Sequence, residues 1–570
     1  MRAIPWISAL AFLAAAACNG GDSSQPDADA ADVDDATDAE PDAEAEAEAD
    51  AEPEIADEGD AEAETSPPDP CTTLGLPVRE FIDAPDDPAL YAVAADVSFE
   101  TWDGTWTLSA AWSGCDVYLF IQDTPQQESG WTRGIWERDV NTLLARSPRN
   151  VHYFFVSTHG APVVRNESLT ALQGRVDTAL GAMSEDDRAW WTGRIHYLPG
   201  RASGLPGWLG AQMISPGWGV AIDRFQRLRF IGSYADFARY DAGRGWFAPN
   251  LSMAANEAVY YNFEAERDAA LQAEDATVVH LLAGEVVSDP GWAGARTTID
   301  VDLPDAAAMA GFDTLELDLY LGCVGDGEYG DCPAWDYINS LYLCDESDPD
   351  ICDVELGRWI TTYHREGRWV HDASALLPLL GDGGSRRFAF YSQQPYETTL
   401  DLRFSDAGKP VRPEQAVYLF SGGALTADYD TAHPAITLPV PADAAKVEIA
   451  TVLSGHGMAD LGNCAEFCNV NHHYLVNGTD NVRSFPQAGT DDDCMQQTGQ
   501  GTVPNQYGTW WYGRSGWCPG REVPIVSLDV TDQVVLGADN TFEYRADYGG
   551  APYTGSGANI DLTSWLVISR

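Results

Sequence analysis

The chain has 570 residues, enough for three or four domains of ordinary size, and 45% of its residues are hydrophobic. Acidic residues outnumber basic ones by 89 to 32, and the resulting formal net charge of -57 argues against nucleic acid or an anionic surface as a partner. Segment 22–70 holds 21 acidic residues and no basic one; without it and Arg2, 68 acidic residues still face 31 basic ones, so the rest of the chain is acidic in its own right.

The first eighteen residues have the pattern of a secretory signal. Arg2 precedes an apolar run from Ile4 to Ala17, and the small residues of LAAAAC lead to Cys18. This pattern resembles a bacterial lipoprotein signal in which Cys18 becomes the acylated amino terminus. An ordinary cleaved signal is the alternative. We therefore predict an exported chain, lipid-anchored to the outer membrane through Cys18.

Residues 19–70 consist mainly of Ala, Asp, Glu and Pro. Such a segment buries too little apolar surface to offset the entropy of ordering, and its like charges repel one another. We predict a disordered, extended linker that holds the folded part away from the membrane, with calcium binding as the alternative.

Residues 71–280 alternate strand-like and helix-like segments, which predicts parallel strands joined by helical crossovers. The order of DVYLFIQD, NVHYFFVST and the hairpin-like GVAIDRFQRLRFIG resembles a thioredoxin-type domain. The loop TPQQESGWTRG after the first strand contains no cysteine, so thiol exchange chemistry is not expected there. We predict a scaffold without redox activity. Its Trp131 to Trp136 loop is either a contact surface or a packing element.

From residue 281 onwards, alternating strands such as TLELDLYLG and TTLDLRFS replace the helical segments. Their spacing is typical of antiparallel sandwiches. We therefore predict a mixed multidomain fold: an α/β domain followed by two antiparallel β-sandwiches, at residues 281–413 and 414–570.

Chemistry-bearing residues concentrate in these two sandwiches. In the first, Cys323 and Cys332 enclose a short loop that is followed by PAWDYINSLYL. In the second, Ser-Gly-His-Gly at 454–457 precedes the segment CAEFC, and RSGWCPG at 514–520 follows. These segments together resemble the bacterial peptide-N-glycosidase F family, whose members are amidases that release N-linked glycans from asparagine. The resemblance covers about half of the chain.

The resemblance implies two eight-stranded jelly rolls with the active site where they meet. It makes Asp336 the principal catalytic group and Glu466 a second carboxylate that acts through a bound water. Two carboxylates in one cleft can divide acid and base work. Arg514 would orient a carboxylate or hold a carbonyl oxygen. The aromatic side chains predicted to bind sugar rings are Trp335, Phe467 and Trp517.

Several positions depart from the family pattern. Gln393 stands where the family has a third functional glutamate, with Glu397 close by. Tyr337 stands where the family has a substrate-contacting arginine, and His456 where it has a tryptophan. An amide at 393 cannot move a proton or carry charge. We assign Tyr337, Gln393 and His456 to the substrate-binding positions and expect the changes to alter glycan specificity first.

Cysteine counting predicts five disulfides, because ten cysteines remain after Cys18 and the chain is expected to be exported. Proximity and the family pattern give three pairs: Cys323–Cys332, Cys464–Cys468 and Cys494–Cys518. The remaining two follow by elimination: Cys344–Cys352 and Cys71–Cys115.

Two other functions compete with the amidase. One is a metal oxidase similar to the copper-dependent peptide-hydroxylating monooxygenases, whose fold is related to that of the family. In it Cys464, Cys468, His472 and His473 would bind zinc or copper, with His456 and Met458 nearby. The other is a glycan or peptide binder without catalysis, favoured by Gln393. The leading prediction is an amidase that needs no metal or other cofactor, is monomeric and acts on N-glycosylated proteins or glycopeptides.

Overall fold

A computed structural model describes residues 70–125, 131–214, 217–288, 294–325, 327–457 and 464–570. The predicted signal, Cys18 and nearly all of the acidic linker lie outside these residues. The described residues fall within one compact unit, Pro67–Arg570. None of the helices among them combines the length and the apolarity needed to span a membrane.

The amino-terminal region, residues 70–276, contains a five-stranded mixed sheet in the order β5-β4-β3-β6-β7. Strands β3, β4 and β5 are parallel, and β6 and β7 form an antiparallel hairpin. All seven positions of both β3 and β4 are buried, as expected for parallel strands covered on both faces. The strands of this region are β1 Ser98–Thr101, β2 Gly104–Thr107, β3 Val117–Asp123, β4 Val151–Ser157, β5 Ile195–Arg201, β6 Gly219–Ile222, β7 Leu228–Arg229, β8 Ala235–Asp241 and β9 Trp246–Pro249.

Helices connect the parallel strands, which confirms the predicted crossovers. The segments NTLLAR and SLTALQGRVDTALG lie within α3 and α4, and Pro at the start of α4 suits a first turn. The helices are α1 Pro70–Leu74, α2 Leu108–Ala111, α3 Val140–Arg146, α4 Pro162–Gly181, α5 Glu185–Thr192, α6 Gly207–Gln212 and α7 Ala254–Ala273. The thioredoxin-like name for this region stays a prediction.

The first sandwich has two antiparallel sheets, ordered β10-β17-β12-β15 and β11-β16-β13-β14-β23. Apolar residues of both sheets, such as Leu319 and Leu341, share one core. Its strands are β10 Thr277–Val287, β11 Ala295–Asp305, β12 Thr314–Gly322, β13 Ile338–Cys344, β14 Cys352–Ile360, β15 Gly367–Asp372, β16 Gly383–Ser392, β17 Tyr396–Ser405 and, from far along the chain, β23 Arg521–Glu522. Strand β10 begins shortly before the predicted domain start at 281.

The second sandwich has sheets ordered β18-β26-β20-β24 and β19-β25-β21-β22, also antiparallel. Its separate core includes Ile449 and Phe542. Its strands are β18 Pro413–Leu425, β19 Ile436–Val440, β20 Lys446–His456, β21 Val470–Val476, β22 Thr479–Arg483, β24 Ile525–Asp529, β25 Ala538–Tyr548 and β26 Ala558–Ser569. The predicted order of an α/β region followed by two antiparallel sandwiches is thus confirmed, while the jelly-roll name stays a prediction.

Shorter helices and turns complete the two sandwiches. The α-helical segments are α8 Ala306–Met309, α9 Glu328–Asp331 and α10 Asp493–Gln496. The 3-10 turns among the described residues are Ile135–Glu137, Ala202–Gly204, Leu251–Met253, Ser374–Leu380, Asp430–Ala432, Thr498–Gln500 and Thr531–Gln533. Strand β23 pairs with β14 of the first sandwich, so the chain that follows Cys518 ties the two sandwiches together.

Four of the five predicted disulfides are formed: Cys71–Cys115, Cys323–Cys332, Cys344–Cys352 and Cys494–Cys518. The fifth pair, Cys464–Cys468, stays a prediction. Its sulfur atoms lie 2.8 Å apart, between the distance of about 2.05 Å in a disulfide and the contact distance of unbonded sulfur atoms. The CAEFC turn also takes its shape from the backbone contacts described below.

Candidate active site

Asp336 lies between the Cys323–Cys332 loop and strand β13. Because β13 pairs with β14, the residues that follow β14 lie beside the residues that precede β13. The Thr361 amide donates a hydrogen bond to the Tyr337 carbonyl, and the Thr361 hydroxyl accepts one from the Tyr337 amide at 2.8 Å. The same hydroxyl donates to the Trp335 carbonyl at 3.1 Å. These bonds fix the backbone on both sides of Asp336, and the adjacent strand end brings Tyr363 to it.

Glu466 lies in the turn that follows β20. Ala465 has a φ of 90°, and the Glu466 carbonyl accepts a hydrogen bond from the Ser515 amide at 2.8 Å. Gly455 must be glycine here, because a Cβ at this position would collide with the Ala465 carbonyl oxygen. The two predicted segments, CAEFC and RSGWCPG, are therefore joined directly through their backbones.

Arg514 lies between the two carboxylates. Its Nη2 is 3.7 Å from an oxygen of Asp336, and its Nε is 3.7 Å from an oxygen of Glu466. The Arg514 side chain is fully buried, whereas the carboxylates are 16% and 19% exposed. Two acidic side chains 130 positions apart along the chain thus face one guanidinium, each with an edge towards solvent.

The arginine is held from several sides. Its Nη1 donates to the carbonyls of Thr509 and Tyr512 at 2.9 and 2.7 Å. Its guanidinium carbon lies 4.7 Å from the ring centroid of Phe467 and 5.2 Å from that of Trp517. Cation–π contacts of this kind strengthen when they are removed from water. The arginine is therefore a rigid positive charge that orients both carboxylates.

The site raises the pKa of both acids. Burial raises the pKa of Glu466 to about 7; Arg514 opposes this rise, and the negative charge of Asp336 adds to it. Burial also raises the pKa of Asp336, and Arg514 and a hydrogen bond from the Tyr363 hydroxyl oppose that rise. Two interacting carboxyl groups with raised pKa values are a common feature of acid–base sites.

Two predicted sugar-contacting residues are buried instead. Trp517 is 6% exposed, and its indole NH donates to the Gly455 carbonyl at 2.7 Å. Tyr337 is also 6% exposed. Trp517 uses its ring and its indole NH for contacts with Arg514 and Gly455. The substrate-binding roles of Trp517, Tyr337 and Arg514 stay predictions.

The remaining predicted residues lie around this centre. Gln393 accepts a hydrogen bond from the Ile338 amide at 3.1 Å, so its amide group braces the start of β13. His456 contacts the Ser454 hydroxyl at 2.7 Å, and burial lowers its pKa to about 3, which keeps it neutral. Phe467 is half-buried, and Trp335 is 56% exposed and free to meet a ligand.

Tyr363 is a site residue that the sequence reasoning missed. Its hydroxyl donates to Asp336 and accepts from Arg514 Nη2 at 3.3 Å. No motif marks it, since it is the last residue of the ordinary segment LGRWITTY. The sequence offered only an indirect signal. Strand β13 begins just after Asp336, so the strand that pairs with it in antiparallel orientation must end close to Asp336.

The residues of the metal alternative have other partners. His472 contacts the Tyr544 hydroxyl, and His473 contacts Asp480 and Asp547. Met458 lies outside the described residues. Within the described part of the chain, the group of possible ligands close enough to share an ion is Asp493 with Cys494 and Cys518, whose sulfur atoms form a disulfide. The predicted ligand set is thus not assembled.

Comparisons with known proteins bear on the same region. The family model described as Peptide-N-glycosidase F, C terminal, matches residues 426–567. Peptide-N(4)-(N-acetyl-beta-D-glucosaminyl)asparagine amidase F of Elizabethkingia miricola is 24% identical over 255 residues, which are 40% of this chain and 66% of that relative. The match thus spans slightly less than two thirds of the relative's length.

Two solved structures show likeness over about half of the chain. PNGase F from Flavobacterium meningosepticum, titled a glycosylasparaginase, is 16% identical with a TM-score of 0.41, over 52% of this chain and 96% of that one. PNGF-II is 13% identical with a TM-score of 0.40, over 54% and 67%. Residues 426–567 are thus similar to the carboxy-terminal part of peptide-N-glycosidase F, and the chain is similar to one amidase.

Proposed function

We propose that this protein is an amidase that cleaves the bond between an asparagine side chain and the first N-acetylglucosamine of an N-linked glycan. One observation carries the proposal: Asp336 from the first sandwich and Glu466 from the second meet at the buried Arg514. The similarity to an amidase relative supports it. The substrates would be glycoproteins or glycopeptides.

The geometry suits hydrolysis of an amide. Burial raises the pKa of Asp336, and Arg514 and Tyr363 oppose that rise by stabilising the carboxylate. In the carboxylate form Asp336 would take a proton from water as the water oxygen attacks the asparagine carbonyl carbon. Glu466, whose pKa is about 7, would give a proton to the nitrogen as the carbon–nitrogen bond breaks. The products are an aspartate residue and a glycosylamine. Water supplies the added oxygen, and the protons balance between the two carboxyl groups.

Incubation with a purified glycopeptide tests the reaction. Mass spectrometry should show the deglycosylated peptide with its asparagine converted to aspartate, a mass gain equal to the exchange of NH2 for OH. Release of sugar with the asparagine intact would mean cleavage of a glycosidic bond instead. Binding without any product would favour the non-catalytic binder, for which Gln393 is the supporting feature.

The pH dependence should show the role of Glu466. If Glu466 donates a proton, kcat should fall as pH rises through about 7, because the acid form is lost above its pKa. In the Glu466→Gln variant the rate at pH 6 should drop about 100-fold, a typical acid–base contribution, and this descending limb should disappear. A wild-type rate that increases through pH 7 would contradict the assignment and make Glu466 the base.

We also propose that the chain is exported and held at the outer membrane by a lipid on Cys18. The amino-terminal signal pattern and the even number of remaining cysteines support this location. A monomer on an extended acidic linker would then reach glycoproteins near the cell surface.

A further inference from the structure

A cleft lined by aromatic side chains lies beside the candidate site. Its volume is about 410 Å³, within the range of roughly 300–1,000 Å³ typical of small-molecule sites. Its aromatic lining residues are Trp131, Trp218, Trp246, Tyr329, Trp335, Tyr363 and Tyr507. The other residues that line it are Gly245, Ala334, His364 and Gly508.

The cleft is built jointly by the amino-terminal region and the sandwiches. Trp131, Trp218 and Trp246 come from the amino-terminal region, and the Arg244 guanidinium holds the Trp131 carbonyl at 2.7 Å. The hairpin of β8 and β9 is docked on the second sandwich, where the Phe247 ring lies 4.9 Å from that of Trp511.

Exposure points to a ligand. Trp131 and Trp335 are 53% and 56% exposed, and they are the exposed tryptophans of the described residues. Tyr329, at 53%, lies at the same cleft, with its ring stacked 4.2 Å from that of Tyr507. Large exposed apolar faces gathered at one place mark interaction sites rather than ordinary surface.

Tyr363 connects the cleft with the candidate catalytic pair. It is one of the residues that line the cleft, as is Trp335, and its hydroxyl donates a hydrogen bond to Asp336. Gly508 makes room for the Tyr363 ring, because a Cβ there would collide with it. A ligand in the cleft would therefore be separated by one side chain from the carboxyl group that would activate water.

The chemistry of the lining favours sugar. Among the described residues that line the cleft there is no Lys, Arg, Asp or Glu, and burial lowers the pKa of His364, so the surface is uncharged at neutral pH. Flat rings with a hydroxyl or NH at one edge match the apolar faces and peripheral hydroxyls of pyranose rings. A polypeptide would leave backbone amide groups against these rings without partners, at a cost for each.

We infer that the amino-terminal region completes a neutral-oligosaccharide subsite: Trp131, Trp246 and Tyr329 bind the outer sugars of the glycan while Asp336 meets its first residue. This inference rests on the proposed function, because it assumes that the glycan lies in the aromatic cleft and that the polypeptide lies on the other side of Asp336. It also gives the amino-terminal region a task that needs no redox cysteine.

Binding of a free high-mannose oligosaccharide to the full chain tests the subsite without any turnover. By isothermal titration, Trp131→Ala and Tyr329→Ala should each raise Kd about tenfold, the size expected for an aromatic anchor. Tyr418→Ala is the matched control, because Tyr418 is also 53% exposed but lies on β18. Its Kd should equal that of the wild type. Because two cleft variants are measured, the test still works if one of them does not fold.

The outcomes separate the two proposals. An unchanged Kd in both cleft variants, or no binding of the oligosaccharide by the wild type, overturns the subsite. Equal loss of affinity for a long peptide carrying one N-acetylglucosamine would make the cleft a peptide site and also overturns it. Oligosaccharide binding that depends on Trp131 without any deglycosylation would refute the amidase but keep the subsite. In an active enzyme, the variants should raise KM for the intact glycan and leave kcat unchanged.

Discussion

Replacing Asp336 with asparagine is expected to reduce deglycosylation by about 10³-fold or more while leaving glycopeptide affinity near that of the wild type. The asparagine has the same shape and can still accept the Tyr363 hydrogen bond, but it cannot take a proton from water. The loss should therefore appear in kcat. Initial rates from mass spectrometry and Kd from titration calorimetry measure the two effects separately.

A control for this variant is Asp300→Asn, which removes an exposed carboxylate of β11 that is 61% exposed and pairs with Arg387. Its rate should match that of the wild type, since exposed pairs contribute little. Turnover that survives in Asp336→Asn would remove the main catalytic assignment. A loss of affinity equal to the loss of rate would mean that Asp336 holds the substrate instead of activating water.

The second large effect is expected at Arg365, which joins three parts of the molecule. Its Nη1 is 2.9 Å from Glu257 of α7, and its Nε is 2.8 Å from Glu328 of the Cys323–Cys332 loop. It also donates to the carbonyls of Phe230 and Pro504 at 2.8 and 2.6 Å. The Arg365 side chain and both carboxylates are at most 4% exposed.

Arg365→Met should lower the free energy of unfolding by about 3–5 kcal/mol, because it leaves two buried carboxylates without their positive partner. Even with Arg365 present, burial raises the pKa of Glu328 to about 7. Urea unfolding at pH 7 measures the change. The Cys323–Cys332 loop, which Arg365 holds, carries Tyr329 of the aromatic cleft. We therefore expect Arg365→Met to lower the affinity for the oligosaccharide as well as the stability.

The matched control is Arg387→Met, which breaks an Arg–Asp pair whose side chains are 34% and 61% exposed. It should leave the free energy of unfolding nearly unchanged, because exposed ion pairs contribute little to stability. Similar values for the two variants would show that the Arg365 network does not hold the regions together. Partial recovery of stability in Arg365→Met combined with Glu328→Gln would identify the unpaired charge as the cause.

Much of the candidate site was visible in the sequence because it is carried by short segments. The frames around Asp336 and Glu466, the RSGWCPG segment and four disulfide pairs could all be read from local spacing and resemblance. Local spacing says less about the CAEFC turn. The separation of Cys464 and Cys468 permits a disulfide, but the turn is also shaped by Gly455, Ala465 and the backbone of Ser515.

Burial could not be predicted from residue type. Trp517 was expected to offer its face to sugar, yet it lies beneath the surface against Arg514, while Trp335 remains exposed. A tryptophan suits both positions, since it has a large apolar body and one polar edge. Whether a tryptophan is buried or exposed depends on which residues pack over it, and those residues come from other segments of the chain.

By itself, the sequence determined the α/β region and the strand-rich remainder, because periodicity acts over a few residues, and its resemblance to a known family singled out Asp336 and Glu466. Only the tertiary structure decided that Arg514 links Asp336 to Glu466, that Tyr363 joins them, and that tryptophans of the amino-terminal region meet Trp335 at one cleft. These meetings depend on packing between separate segments of the chain, for which no local pattern codes.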